Sequence, residues 1–368
     1  MQQLTFVKKN TLEWWDVPEP TIQTPDEVLV RPFAAARCDA DLIMLRGRLT
    51  TLFRLGKLLR LTDPAVPHVF GSHPFRAPFA VGHECVAEVL TVGENVRRVK
   101  RGDVVVVPFQ VSCGHCLTCG EGLTANCASV GPFSMYGGIG GKGAWGGALS
   151  EVVRVPYGDA MLVPVPPGVD PVSLASASDN LPDAWRTVGP ALKAKPGASV
   201  LVVGGAAKSV GLYAAAMAVA LGSARVDYLD THPERLRLAK LVGAHPVEGA
   251  ASFRGSYPIV VDATNQADGL GSALRCVAPG GICTTVGIFA RKTTPIPLFR
   301  MYTNDVTLKT GVTNARTHIP EVLSLVAGGK FKPELLTTTL ADWGQADRAF
   351  LENSVKVVVK RERTMTNE

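Results

Sequence analysis

The sequence has no long run of one charge, no apolar stretch of membrane-spanning length and no internal repeat. Thirty-eight Lys and Arg against 32 Asp and Glu leave a formal net charge of +6 over 368 residues. So small an excess, in no long basic run, argues against nucleic acid as the main partner. The longest apolar stretch, Gly211–Gly222, is about half of a bilayer span, so no membrane span is expected. The opening segment MQQLTFVKKNTLEWWDVPEP has no apolar core of signal-peptide type, and the expected location is cytoplasmic. The missing repeat argues against solenoids and propellers. Hydrophobic residues make up 46% and charged residues 19%, which excludes wholesale disorder and fibrous architecture.

Eight cysteines are present, at 38, 85, 113, 116, 119, 127, 276 and 283. A secreted disulfide scaffold would be small and dense in cysteine throughout, and this chain is neither. Cys113, Cys116, Cys119 and Cys127 fall within fifteen residues. Four thiolates at that spacing can wrap one tetrahedral zinc with no open position, which makes a structural site. The alternatives are four unrelated buried thiols, which the density disfavours, and a disulfide pair, which the compartment disfavours. Cys38, in ARCDAD, and His83 with Glu84, in VGHECVAEV, offer a thiolate and an imidazole from distant segments. Such a pair suits a catalytic zinc with three protein ligands and one open position, although spacing alone is a weak signal. Cys85, Cys276 and Cys283 sit in apolar surroundings and read as packing thiols.

The length suggests two domains at about 150 residues each. From Val28 to about Val107, short β-rich runs such as EVLVRPFAA, ECVAEVLTVG and DVVVVPF are broken by Gly and Pro. They predict a small, irregular, mostly antiparallel β domain. An insert from Arg46 to Ala77 and the cysteine lobe at 113–127 interrupt it, and the run GGIGGKGAWGG at 137–147 reads as a flexible loop. Near Pro164 the pattern changes. Apolar strands SVLVV, RVDYL, PIVVDAT and GICTTVG now alternate with helices, as in a parallel sheet covered on both faces. One more helix, IPEVLSLVAGG, and a strand, KVVVK, close the chain. Between SVLVV and its helix lies GGAAKSVG, Gly204 to Gly211. Glycines there let the backbone approach a pyrophosphate at a helix N-terminus. Gly204, Gly205, Ser209, Val210 and Gly211 are the expected cofactor contacts. The turn looks longer than G-x-G-x-x-G, with Lys208 inside it. Asp230 follows Gly211 by 19 residues, where an acid grips the ribose 2′-OH of NAD.

In this order, GHE at 82–84, the four-Cys lobe, the dinucleotide turn and PERLRLAKLVGA resemble the zinc-dependent medium-chain dehydrogenase/reductase (alcohol dehydrogenase) superfamily. The likeness covers nearly the full length. VPFQVSCGHCLTC, VPYGDAMLVPVP and ASDNLP are most similar to the branch of glutathione-independent formaldehyde dehydrogenases and aldehyde dismutases. The resemblance implies an α/β fold: a GroES-like irregular β domain over 1–165, a Rossmann doubly wound parallel sheet over 166–311, and a return to the first domain over 312–368. It implies a catalytic zinc on Cys38, His83 and Asp179, and a structural zinc on the four-Cys lobe, two per chain. Asp179 would otherwise read as a helix cap. Glu84 would sit behind or swing onto the metal, and Asp41 would orient His83 through its second ring nitrogen. Lys356 matches a basic residue that approaches the pyrophosphate; an exposed lysine before an edge strand is the alternative. The implied reaction is interconversion of an alcohol and an aldehyde or ketone with NAD. NADP is possible, since Lys208 and His232 would favour it. The active site is expected in the cleft between domains, and the partners are a small-molecule substrate and further copies of the chain, as a dimer or tetramer.

Two departures from the family bear on the substrate. Alcohol-oxidising members carry Ser or Thr two residues after the first zinc ligand, where a hydroxyl relays the substrate proton; here that residue is Ala40. A reductase of an activated C=C or C=N bond needs no such relay and is a rival reading. A cofactor-binding protein without catalysis is a second rival, opposed by the retention of all four site residues. The interval from Cys38 to His83 is about twice the family's usual one. The extra segment LTTLFRLGKLLRL places Leu49, Leu52, Leu55 and Leu59 on one helical face and Arg54, Lys57 and Arg60 on the other. It could cover the substrate, dock a subunit, touch a membrane surface or simply pack. His68 and His73 at its end read as loop residues.

Overall fold

The computed structural model describes residues 1–70, 75–131, 133–138, 145–249 and 254–363. The side chains of Leu49, Leu52, Lys57 and His68, the middle of the glycine run and all of His73 lie outside them. The chain forms two compact units. The first comprises 1–179, 314–327 and 337–368; the second comprises 180–313 and 328–336. The change of unit falls at Asp179/Asn180, later than the change of sequence pattern near Pro164, and the second unit reclaims 328–336.

In the first unit, strands Val28–Arg37, Glu84–Val92 and Val104–Val107 pair antiparallel, as the short β-rich runs predict. Val357–Lys360 joins the other edge of Val28–Arg37, and Thr339–Asp342 extends the sheet in parallel. Gln2–Lys8, Thr11–Asp16 and Phe79–Ala80 form a second, three-stranded sheet. Leu4, Val30, Val89, Val105, Val155 and Phe350 are buried in the core of this unit. The register of the larger sheet aligns three strand ends. Ala36 pairs with Glu84 and Arg37 with Val357, so Cys38, His83 and Lys356 each sit one residue beyond a paired strand end, at the same end of the sheet. The insert forms helix Arg48–Leu58 and short helix Val66–Phe70, so His68 is helical rather than in a loop.

The second unit is a six-stranded sheet whose ladders are all parallel. With its strands numbered in chain order from Val200–Val203, the sheet runs 3-2-1-4-5-6, the doubly wound arrangement for dinucleotides. Val200–Val203 and Tyr257–Asp262 are central and read as apolar runs because both faces are covered. Helix Lys208–Ala220 follows the first strand and is buried along most of its length, which its Ala-rich, apolar sequence permits. Helix Pro233–Leu241 follows the second strand. No helix among the described residues is long and apolar enough to cross a membrane.

Candidate functional site

Cys38, His83 and Asp179 come together: one ligand atom from each lies within 4.8 Å of the others. Cys38 follows strand Val28–Arg37 and directly precedes helix Asp39–Leu45. His83 directly precedes strand Glu84–Val92. Asp179 is held from behind by Ser178, which is fully buried. The Ser178 hydroxyl accepts from Cys85 N at 2.9 Å and donates to Cys85 O at 3.0 Å, and Ser178 O accepts from Phe109 N. These bonds pin the loop to the strand that follows His83. His83 Nε2 is 3.3 Å from Asp179 Oδ2, and His83 Nδ1 is 3.3 Å from Asp41 Oδ1. The other Asp41 oxygen accepts from Cys38 N at 3.0 Å. Asp41 therefore lies against both Cys38 and His83, two of the three candidate ligands.

The electrostatics of this trio fit a cation. Burial pushes the Cys38 thiol up to about 12, with the Asp179 charge adding to the effect. Burial alone would lower the His83 imidazolium, yet the Asp41 charge and hydrogen bonds with Asp179 and Asp41 outweigh it and raise it well above the ordinary histidine value. A buried thiol, imidazole and two carboxylates crowd one another, and a divalent cation at their centre favours the deprotonated thiol and the neutral imidazole. One S, one N and one O donor make a three-ligand set of the kind that leaves a position open on zinc.

Behind the trio lies an ion pair that sequence reading did not find. Lys356, fully buried, donates to Glu84 Oε2 at 2.6 Å and to Arg37 O at 3.1 Å. Lys356 is thus no exposed lysine. Burial pushes the Glu84 carboxyl up to about 7 while Lys356 holds it down. Arg37 donates to the carbonyls of Phe350, Glu352 and Ser354, fixing the turn that delivers Lys356. Only the strand register brings these residues together.

In the lobe, Cys113, Cys116, Cys119 and Cys127 have all four sulfurs within 4.8 Å. Cys116 and Cys127 sulfurs are 3.9 Å apart. Tetrahedral geometry with Zn–S of about 2.3 Å requires S···S of about 3.8 Å, whereas a disulfide requires about 2.05 Å. Cys113 N donates to Cys127 Sγ and Cys116 N to Cys113 Sγ, polarising the sulfurs toward thiolates. A hydrogen bond with Thr118 leads the effects that pull Cys116 down to about 5. The donor set fits a closed ZnS4 site. Cys85, Cys276 and Cys283 are buried and form no disulfide.

In the second unit the glycine turn is Gly204–Ala207; Lys208 is the first helical residue rather than part of the turn. A Cβ on Gly204 would collide with the Asp230 carboxylate, and one on Gly205 would come within 2.5 Å of Thr264 Cα. On Gly211 it would meet Ala263 Cβ at 3.0 Å, so that glycine permits helix–strand packing. Ala206 and Ala207 amides are engaged by the Thr264 and Ala263 carbonyls. Val210 is buried, as is Ser209, whose hydroxyl donates to Asn180 Oδ1 at 2.9 Å. Asp262, buried, accepts from Thr264 and Thr285 and braces the segment against which the turn packs. Asp230 is not alone at its strand end. Arg235 grips both its oxygens at 2.6 and 2.7 Å, and the amides of Thr231 and His232 donate to Oδ1. Arg235, five residues on and one turn into the next helix, was the detectable partner that sequence reading passed over.

The family model described as alcohol dehydrogenase GroES-like domain matches residues 24–167, and that described as zinc-binding dehydrogenase matches 209–328. A probable zinc-binding alcohol dehydrogenase of Mycobacterium tuberculosis is 30% identical over 331 residues, covering 88% of this chain and 78% of that protein. A glutathione-independent formaldehyde dehydrogenase of Pseudomonas aeruginosa is 33% identical over 255 residues, covering 65% of this chain and 56% of its own. Among solved structures, the alcohol dehydrogenase TADH from Thermus sp. ATN1 is similar with a TM-score of 0.82 at 28% identity, over 98% of this chain and 99% of that one.

Proposed function

Because this chain belongs to the zinc-dependent medium-chain dehydrogenase/reductase (alcohol dehydrogenase) superfamily, we propose that it exchanges hydride between NAD(H) and an alcohol–aldehyde or alcohol–ketone pair. The observation that carries this reading is the donor trio Cys38, His83 and Asp179, braced by Asp41 and backed by the Glu84–Lys356 pair. Zinc at that trio would supply Lewis acidity toward a hydroxyl or carbonyl oxygen. Cys38, His83 and Asp179 would hold it, and the Ser178 clamp sets the third ligand's direction. Asp41 holds the His83 ring so that Nε2 faces the other ligands. The second zinc would belong to Cys113, Cys116, Cys119 and Cys127. Gly204 and Gly205 let the turn pack close to Asp230 and Thr264 at the start of helix Lys208–Ala220, where a pyrophosphate would lie, and Asp230 would accept from a ribose hydroxyl, which favours NAD over NADP. Lys356 is tied to Glu84, so any reach toward a pyrophosphate would pass through that pair.

The test mixes zinc-loaded protein with NAD and a panel of alcohols, and with NADH and a panel of aldehydes and ketones, and follows NADH fluorescence. Turnover in at least one panel is expected, and its loss in Asp179→Ala. Cofactor binding with no turnover in either panel would overturn the proposal. Ala40 supports a second reading, reduction of an activated C=C or C=N bond, because no hydroxyl side chain stands there to relay an alcohol proton. Turnover of enones or imines without turnover of alcohols would select it.

A further inference from the structure

We propose that the insert helix docks this protein on an anionic lipid surface through the leucines between Leu55 and Leu61. The segment from Leu42 to Thr62 holds Arg46, Arg48, Arg54, Lys57 and Arg60 and no acidic residue, in a chain whose charges otherwise nearly balance. Among the described side chains of helix Arg48–Leu58, Phe53 holds it to the first unit. Phe53 packs on the core of the first unit, its ring 5.9 Å from that of buried Phe75, and Thr51 donates to Gly47 O. At about 100° per residue, Leu55 and Leu58 point away from Phe53. Leu55 is 51% exposed, Leu58 77%, Leu59 56% and Leu61 54%. Four leucines in seven residues, each more than half exposed, form an apolar ridge. Arg48, Arg54 and Arg60 beside it are exposed as well.

Charge decides what covers the ridge. An anionic headgroup layer offers phosphates to the guanidinium groups and an apolar zone just beneath for the leucines, the pairing used by helices that lie in a bilayer interface. A second copy laid against the same ridge would set two strings of basic residues against each other, in a chain that is already net positive. The helix is too short to span a bilayer, so docking leaves the rest of the protein on one side.

The experiment is co-sedimentation of the full, zinc-loaded chain with vesicles. One set contains phosphatidylglycerol in phosphatidylcholine and the other phosphatidylcholine alone, each at low and high salt. Binding to the anionic vesicles at low salt and release at high salt are expected. The double variant Leu58→Asp with Leu59→Asp should bind at least tenfold less, while its zinc content and circular dichroism match the wild type, because both side chains are exposed. Absence of binding to anionic vesicles, or equal binding by the variant, overturns the proposal. If light scattering shows an oligomer that the variant dissolves while vesicles bind neither form, the ridge is a contact between copies and the proposal also fails.

Discussion

Ser178→Ala removes one oxygen from a fully buried position, and its effects can be worked out from two bonds. The hydroxyl satisfies both Cys85 N and Cys85 O, at 2.9 and 3.0 Å. Their positions in strand Glu84–Val92 give the freed groups no ready access to water. An unsatisfied buried group costs about 1–3 kcal/mol, so freeing two should cost the variant about 2–6 kcal/mol. At roughly 2–4 °C per kcal/mol for a unit of this size, Tm should fall by about 4–24 °C. The second effect is on metal. Ser178 adjoins Asp179, and releasing the loop from Cys85 loosens that ligand against His83. Loss of such a supporting group lowers metal affinity by about 10–100-fold. The assay is calorimetry together with zinc content after dialysis against a weak chelator. Wild type should keep two zincs per chain, and Ser178→Ala only the one in the cysteine lobe. Unchanged Tm and unchanged zinc content would refute the clamp.

Cys116→Ser should leave one sulfur short in the lobe and lose its zinc, with a marked drop in Tm, since structural zinc contributes folding energy directly; full stability with one zinc fewer would show the lobe to be dispensable. Asp230→Ala should free Arg235 to meet a 2′-phosphate and move the ratio of kcat/KM for NAD over NADP toward NADP by about 100-fold, a swing of about 2.7 kcal/mol. Asp230→Ala with Arg235→Ala should lose most of that gain; an unchanged ratio would detach the pair from cofactor choice. Ala40→Ser should raise alcohol oxidation modestly at neutral pH and flatten the rise in rate toward alkaline pH. Fast neutral oxidation by the wild type, unaltered by the substitution, would show that a relay at this position is not needed.

The candidate cysteine lobe was legible because thiolate metal chemistry constrains residue type and spacing, and four cysteines within fifteen residues needed no coordinates. Cys38, His83 and Asp179 were candidates only through the family resemblance, since their spacing is a weak signal. The alternating strand–helix run from SVLVV onward likewise announced the parallel sheet. Strands His245–Glu248, Thr307–Lys309 and Thr339–Asp342 were not legible. They are short, half-exposed edge strands whose pairing rests on backbone bonds rather than on an apolar run. Helix Asn180–Ala194 hid behind Pro182, Gly189 and Pro190, and forms because it is buried nearly all round from Asn180 to Gly189. The partners of Lys356 and Arg37 were out of reach for a different reason. Each is set by strand register across more than 250 residues of chain, and composition carries no trace of that. Ser178 carried no signal of its own beside Asp179, and only the backbone of Cys85 shows what it does.

The two candidate cation sites differ sharply in how much chain must be ordered before they exist. The lobe closes a loop of 14 residues from Cys113 to Cys127, whereas Cys38 to Asp179 closes one of 141. By loop-closure entropy alone the longer loop costs about 2 kcal/mol more. The three-ligand site also waits on two antiparallel ladders and on Lys356, which arrives last from the ribosome. If both sites take zinc as proposed, the lobe could bind its ion during synthesis while Cys38, His83 and Asp179 are still apart. Early zinc in the lobe would then keep those four thiols from competing for the second ion.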